Sequence, residues 1–374
     1  MFTLTHKDKK TKARIGILKT KKGAVETPFF MPVATKGNTK FFTSENLKAI
    51  GANVVISNAL ILSLRPGLNV LKKFGGIGKF MNYHGVNFTD SGGFQMYSKY
   101  IYISSNDHGV TFRNPFSGEK LLITPEKDMK IQIDINSDVA MSLDSMPMYE
   151  HSKKDIEEAT RKTILWAERC KREHDKLQKN KKQDKRQLLF GIIQGGIYKD
   201  LREKCTKELL KLDFDGYSIG GFGLGETIKE EFDIVKLCKS LLPENKPIYL
   251  MGIGNPVEIL EGISHGCDIF DSRMPTQNAR RGLLFTSKGK LRIMRKEHES
   301  SKEPIDANCD CYVCKNYSRS YLRHMLMQDE GTGKILVTFH NLYYLQDLVR
   351  KAKEHIKNGT FNKFLEKVKK AYKE

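Results

Sequence analysis

The chain has 374 residues, 39% of them hydrophobic, enough for one large barrel or two ordinary domains. With 64 Lys and Arg against 44 Asp and Glu its formal charge is +20, which points to polyanions, nucleic acid first, unless the excess is a compositional bias spread over solvated helix faces. No run of eighteen apolar residues could span a bilayer, and the opening MFTLTHKDKKTKARIG lacks the apolar core of a secretion signal, so a cytoplasmic protein is expected.

Eight short apolar or β-branched runs follow one another, each ending in Gly, Asn, Asp or Ser. They are FFMPVAT from Phe29, NVVISNA from Asn53, VNFTDSGG from Val86, DVAMSLDS from Asp138, LLFGIIQGG from Leu188, GYSIGG from Gly216, PIYLMGIG from Pro247 and CDIFDSRMP from Cys267. Most are followed by a polar amphipathic stretch that reads as helix. Near-continuous apolar strands mean burial on both faces, the mark of parallel sheets with helical crossovers. Eight such units predict an α/β fold, a (β/α)8 TIM barrel, with an open doubly wound sheet as the alternative. In a barrel the polar residues at the C-terminal ends of strands meet at one mouth, and Asp90, Asp144, Gln194 and Asp271 all stand there.

Two segments exceed a plain barrel. Within residues 99–128, GVTFRNPFSGEKLLITP has alternating runs flanking Ser117-Gly118 and predicts a β-hairpin insertion. After the eighth strand, residues 283–345 hold a second hairpin, LLFTSKGKLRIM, and then a cysteine cluster, read as an inserted zinc-binding subdomain within a single barrel domain. KLQKNKKQDKRQ at 177–188 reads as a mobile surface loop.

Of seven cysteines, four are scattered and three, Cys309, Cys311 and Cys314, sit together. That spacing brings three thiolates to one tetrahedral ion, and His324 or His340 could complete it. His340 is preferred, because SRSYLRHMLMQDEG around His324 looks helical while His340 opens a new run, TFHNLYYL, able to fold back on the cluster. Four protein ligands leave no place for a catalytic water, so the zinc is structural.

DSGGFQ at 90–95 ends a strand with a carboxylate and two glycines, which would let a flat ligand lie close to the backbone, with Phe94 as a stacking face. GGFGLGE at 220–226 is a second glycine turn without the spacing of a dinucleotide fingerprint. In FDSRMPTQNARRG at 270–282, Asp271 is followed closely by Arg273, Arg280 and Arg281, a carboxylate beside cations that suits an anionic backbone held while an anomeric carbon reacts. Two carboxylates flanking a glycosidic bond divide the work between nucleophile and acid–base, and Asp271 and Asp90 are the candidate pair.

Together, TPFFMPVATKGNTK, NALILSLRPG, DSGGFQ, GIIQGG followed by Tyr198 and LR, GGFGLGE, YLMGIGNP, FDSRMPT and the CxCxxC cluster with a histidine in FHNL resemble the tRNA-guanine transglycosylases (queuine tRNA-ribosyltransferases) of bacterial type, nearly end to end. The resemblance implies a pentosyltransferase that exchanges guanine at the wobble position of tRNAs with GUN anticodons (Asp, Asn, His, Tyr) for a 7-deazaguanine base in queuosine biosynthesis. Asp271 would form the covalent enzyme–RNA intermediate and Asp90 would handle the proton. It implies a base pocket of Asp90, Ser91, Gly92, Gly93 and Phe94 with Asp144, Gln194, Gly221 and Met251. It implies RNA contacts at Gly252, Ile253, Gly254, Asn255, Pro256, Val257 and Glu258, and at Thr276, Gln277, Asn278, Ala279 and Arg280. Zinc ligands Cys309, Cys311, Cys314 and His340 agree with the spacing, and a homodimer is the expected assembly. Members usually carry cysteine where this chain has Met146, arginine at Gln277 and a small or β-branched residue at Leu224. The incoming base stays open between 7-aminomethyl-7-deazaguanine and queuine. The alternative function is a non-catalytic tRNA-binding subunit of a heterodimeric transglycosylase.

Overall fold

The computed structural model describes residues 2–98, 100–146, 151–223 and 225–373, the side chains of Phe94 and Gln95 excepted. Its centre is an eight-stranded parallel sheet: β1 (Phe29–Pro32), β2 (Val54–Asn58), β3 (Val86–Asp90), β4 (Val139–Met141), β5 (Leu188–Ile193), β6 (Gly216–Ile219), β7 (Ile248–Leu250) and β8 (Ile269–Ser272). Each strand pairs with the next in sequence, and β8 returns to β1 in the register Ile269–Phe29 to Ser272–Pro32. A bridge between Val33 and Ile56 joins β1 to β2, and the amide of Ala34 donates to the carbonyl of Ile56 at 2.7 Å, so the ring closes. All eight runs anticipated from apolar patterning are these strands, and the open-sheet alternative falls.

The strand period of two explains why the runs are apolar throughout. Phe29, Met31, Ile56, Phe88, Met141, Phe190, Ile192 and Tyr249 fill the barrel interior. Their neighbours Phe30, Val55, Ala140, Leu189, Ile193, Leu250 and Phe270 face the surrounding helices. Phe88 lies centrally, edge-on to Phe29, Phe190 and Tyr249 with ring centroids 5.8–6.4 Å apart. Gly216 is required in β6, since a Cβ there would come within 2.5 Å of the Phe190 ring.

Helices cover the outside. In Lys153–Leu177 the Ser152–Asp155 capping box starts the helix, and Ile156, Thr160, Thr163, Ala167, Cys170 and His174 form its buried stripe. A three-stranded antiparallel sheet of Phe2–Lys7, Arg14–Thr20 and Gly23–Thr27 precedes β1 and contributes Phe2 and Leu18 to the interior core. The first strand, FTLTHK, buries only Phe2 outright, and its brief alternation of Phe2 and Leu4 with threonines is too short to announce a sheet in the sequence.

Arg14 of that sheet is 3% exposed and holds Asp268, 0% exposed, through Nε (3.0 Å) and Nη2 (2.5 Å). The same guanidinium donates to the carbonyls of Glu244 and Lys246. Removing one partner strands a buried charge, so Arg14→Ala is expected to destabilise the fold by about 3–5 kcal/mol in urea unfolding.

Three expectations are refined. The insertion at 99–128 contains the anticipated hairpin, Gly109–Arg113 with Lys120–Ile123, and a third strand, Tyr102–Asn106. The loop at 177–188 is anchored at both ends: the amide of Gln187 donates to Oε1 of Gln178 at 2.7 Å, and Nε2 of Gln187 donates to the carbonyl of Ser137 at 2.9 Å. TFHNLYYL does not open an element but lies in the middle of the helix Gly331–Lys357. Leu336 to Leu342 are all buried there, and a helix surrounded by protein needs no polar face. Residue 345 also lies inside this helix, which therefore serves both the cysteine-bearing segment and the barrel.

Candidate active site and metal centre

The carboxyl ends of the strands open on a cavity of about 350 Å³. Asp90 ends β3, Asp271 is third in β8, Gln194 follows β5, and Asp144 lies three residues beyond β4. All four line the cavity, with Gly221, Met251, Gly252 and Gln277. The convergence expected from strand ends is thus present. The side chain of Phe94 and residue Leu224 lie outside the described residues.

Asp271 is held in place. Tyr249 donates its hydroxyl to Oδ1 at 2.6 Å, and the amide of Gly252 donates to the same oxygen at 2.9 Å. Burial raises its pKa, while Tyr249, Gly252 and the nearby Arg273 pull it back. One oxygen is thus fixed by two donors that favour the charged form, while burial leaves the pKa raised overall.

Burial, with repulsion from Asp144 and Asp271, pushes the Asp90 carboxyl up to about 7, against backbone amides of Gly92 and Ser91 that stabilise its charge. Such a group exchanges protons at neutral pH. A folded value above the usual 3.8 also has a consequence for stability. The contribution is fully present below the unfolded pKa and is lost as pH rises through about 7. Asp90→Asn is therefore expected to raise the thermal midpoint relative to wild type at pH 8.5, with little gain at pH 4. Equal shifts at both pH values would contradict it.

Asp144 and Gln194 form a second unit. Nε2 of Gln194 donates to Oδ2 of Asp144 at 2.7 Å, while Oε1 of Gln194, in a side chain 1% exposed, has no protein partner. Burial pushes Asp144 up to about 6 despite that donor. An unused acceptor beside a carboxylate, on two residues that line the cavity, is a donor-seeking edge.

The glycines also have a steric role within the protein. A Cβ at Gly93 would come within 2.8 Å of Oδ1 of Asp144, and one at Gly92, whose φ is +91°, within 2.5 Å of Leu60. A Cβ at Gly221 (φ +81°) would sit 2.6 Å from Oε1 of Gln194. Their absent side chains let the polar groups keep their positions. Ser91 closes the turn by accepting from the Gly93 amide at 3.2 Å.

Around the mouth, Asn255 caps the helix Pro256–Ser264 by accepting from the Val257 amide at 3.0 Å. The side chains of Ile253, Pro256, Thr276 and Ala279 are buried. Val257, Glu258 and Asn278 are half-buried, Gly254 packs on Ser272, and Gln277 is exposed at the rim. Arg280 lies over the Phe41 ring at 5.7 Å. These segments are neighbours in space, but only part of each presents side chains outward.

Two important residues went unassigned in the sequence. Tyr249 is an inward-facing position of an apolar strand, indistinguishable there from core. Arg202, fully buried, donates to the carbonyls of Ile193, Gly196 and Gly220 at 2.7–2.9 Å and lies over Phe222, so it ties the loops after β5 and β6 together. A lone arginine in KDLREK reads as surface.

Beside the barrel, Cys309, Cys311, Cys314 and His340 present ligand atoms all within 4.8 Å of one another. Nδ1 of His340 lies 3.3 Å from Sγ of Cys314, and its Nε2 is 2.7 Å from the carbonyl of Phe285. Donation from Nε2 to that carbonyl would leave Nδ1 free as a ligand, the outer support typical of metal-binding histidines. Three thiolates and one imidazole suit a tetrahedral ion, so the cluster can hold a metal.

The fold and its site define a closed parallel (β/α)8 barrel protein with an acid-lined cavity at the strand ends and a Cys3His cluster able to hold a metal at its side. The family model for queuine tRNA-ribosyltransferase matches residues 8–374. A queuine tRNA-ribosyltransferase of Thermoanaerobacter sp. (strain X514) is 44% identical over 371 residues, 99% of this chain and 97% of the relative. Those of Thermodesulfovibrio yellowstonii and Lysinibacillus sphaericus are 44% and 42% identical, covering 94% and 98% of this chain and 90% and 94% of theirs. The chain belongs to the queuine tRNA-ribosyltransferase family and is a pentosyltransferase.

Proposed function

We propose that this enzyme exchanges guanine at the wobble position of tRNAs with GUN anticodons for a 7-deazaguanine base. The observation that carries the reading is the pair Asp90 and Asp271 on one cavity, one acid near neutrality and the other locked by two donors. An oxygen of Asp271 attacks C1′ of the nucleotide as the bond from C1′ to N9 of guanine breaks, and Asp90 in its neutral form protonates the leaving base. For the return, the incoming base gives its N9 proton to the Asp90 carboxylate, N9 attacks C1′, and the ester to Asp271 breaks. The tRNA sequence is otherwise unchanged, and no external energy source is needed.

Asp144 and Gln194 face the guanine edge, the unpartnered Oε1 of Gln194 accepting from a base N–H. Met251, Gly221 and the turn from Asp90 through Phe94 complete the pocket, and the stretches 252–258 and 276–280 contact the loop. The base must be splayed from an anticodon loop, which single-stranded loops permit at modest cost. The ion of the cysteine cluster is a structural zinc, bound by Cys309, Cys311, Cys314 and His340. It supplies a fixed crosslink while the barrel residues do the chemistry. We further read the chain as one barrel domain with residues 283–345 inserted in it, acting in the cytoplasm as a homodimer.

Radiolabelled guanine exchange into unmodified GUN tRNA tests this, run in competition with queuine and with 7-aminomethyl-7-deazaguanine. Incorporation confined to GUN tRNAs is expected, and no exchange into any tRNA would overturn the reading. The competing base that suppresses labelling identifies the natural substrate.

A further inference from the structure

Two polar side chains of the helix Pro125–Ile135, Asp128 (1% exposed) and Gln132 (0% exposed), do not line the cavity and play no part in the chemistry above. Their partners lie at the ends of the two strands that carry Asp90 and Asp144. β3 and β4 pair only through Val139 with Phe88 and Ala140 with Thr89. The next pair in that register would set Met141 against Asp90. Instead the amide of Gln132 takes both main-chain groups of Met141: Nε2 donates to its carbonyl at 2.8 Å, and Oε1 accepts from its N–H at 3.1 Å. The same Oε1 accepts from the hydroxyl of Thr89, the residue before Asp90, at 2.9 Å.

A side-chain amide therefore stands where a peptide group of β3 would, and the ladder stops one residue short of the acid. On its other side β3 stays paired through Asp90 itself, which lies opposite Asn58 of β2. Beyond Met141 the chain is drawn toward the helix Lys153–Leu177. The amide of Leu143 donates to Sγ of Cys170 at 3.4 Å, and the amide of Ser145 donates to Oγ1 of Thr163 at 3.0 Å. Asp144 stands between these two anchors. The strands thus part at the one step that separates the two acids, where a unit serving only the fold has no reason to sit.

Asp128 fixes the amide. Its Oδ2 accepts from Nε2 of Gln132 at 2.8 Å, one turn along the helix. The charged groups acting on it, Asp90 and Asp144, are both acidic. Glu126 on the same helix is bound to Arg169, and Cys170 lies within electrostatic reach on the neighbouring helix. Burial, with repulsion from those two acids, holds the Asp128 carboxyl well above the usual carboxylate range, so it stays neutral while they titrate. A neutral acceptor anchors the amide without adding a third charge to the pair.

We propose that Gln132, anchored by Asp128, is a positioning residue for base exchange that interrupts the β3–β4 ladder and so sets the separation of Asp90 from Asp144, an inference that rests on the cavity being the exchange site. Without the amide, Met141 and Asp90 complete the next pair of the ladder. Asp90 then moves toward the chain that carries Asp144, and their repulsion grows.

The test uses Gln132→Met in the full chain, which keeps the length and burial of the side chain and removes its amide. Carbon NMR of carboxyl-labelled aspartate reads the Asp90 midpoint, its resonance identified by its loss in Asp90→Asn. That midpoint should rise by about half a pH unit or more in Gln132→Met, and the pH profile of guanine exchange should move with it. KM for guanine should rise roughly tenfold, while affinity for GUN tRNA stays unchanged. Asp128→Leu, which withdraws the anchor, should shift the midpoint in the same direction by less, and Asp128→Asn, which restores an uncharged acceptor, should bring it back. Should Gln132→Met fail to fold, Gln132→Asn, which withdraws the amide by one methylene, should give the same upward shift. An unmoved midpoint in a folded variant of Gln132 would overturn the positioning role, as would a fall in exchange that follows the folded fraction alone. Because the NMR midpoint is read apart from turnover, a wild-type protein that exchanges no guanine while Gln132→Met still shifts Asp90 would sink the cavity reading and leave the interrupted ladder standing.

Discussion

Asp271→Asn is expected to lower base exchange by about a thousandfold or more and to abolish the RNA adduct that survives denaturation. The amide keeps the size of the side chain and can still accept from Tyr249 and Gly252, which now hold Oδ1 of the carboxylate. It lacks the negative oxygen that the proposed mechanism bonds to C1′. The loss should therefore appear in kcat with little change in tRNA binding, because the segments proposed to contact the RNA at the mouth are untouched. Denaturing gels of enzyme mixed with labelled tRNA read the adduct directly. A variant that still forms it would assign the nucleophile elsewhere, with Asp90 as the remaining acid of the pair.

The second large effect is expected from the metal cluster. Elemental analysis should find one zinc per chain, and His340→Ala or exhaustive chelation should remove it and destabilise the chain by several kcal/mol, since binding energy at a structural zinc is folding energy. The helix Gly331–Lys357 ties that loss to the site. It carries His340, whose Nε2 faces the carbonyl of Phe285, and next to it Asn341, which accepts from the Phe285 amide at 3.0 Å and donates to the carbonyls of Pro275 and Leu283. Pro275 lies two residues before Gln277 at the cavity rim. Freeing this helix should raise amide exchange in the hairpin Leu283–Arg292 and in the helix Met274–Arg280 first. Exchange should rise last in the barrel strands, whose inward-facing core is separate from that of the helix. A chelated protein with unchanged exchange in those segments would show that the cluster does not organise them.

Much of the fold was readable because burial on both faces leaves a direct trace. A parallel strand inside helices must be apolar at nearly every position, and its C-terminal end must turn, so VNFTD, LLFGIIQ and CDIFDS announced strand and site together. The cysteine spacing was equally direct, since three thiolates within six positions have few uses besides a metal. The resemblance of the motifs to one family then assigned roles that spacing alone could not.

The primary structure by itself determined the eight barrel strands, the four polar residues at their ends and the three clustered cysteines, because each depends on local pattern or on short spacing. Tertiary structure alone decided how those groups are tuned. The Tyr249 hydroxyl on Asp271, the burial and repulsion that lift Asp90 to about 7, and the Arg202 clamp on three carbonyls all join residues of different strands and loops. It also decided that TFHNLYYL is helix, because packing on all sides overrode a local preference for strand. The reason is common to these cases: burial and charge proximity are properties of neighbours in space, and a one-dimensional pattern records only neighbours along the chain.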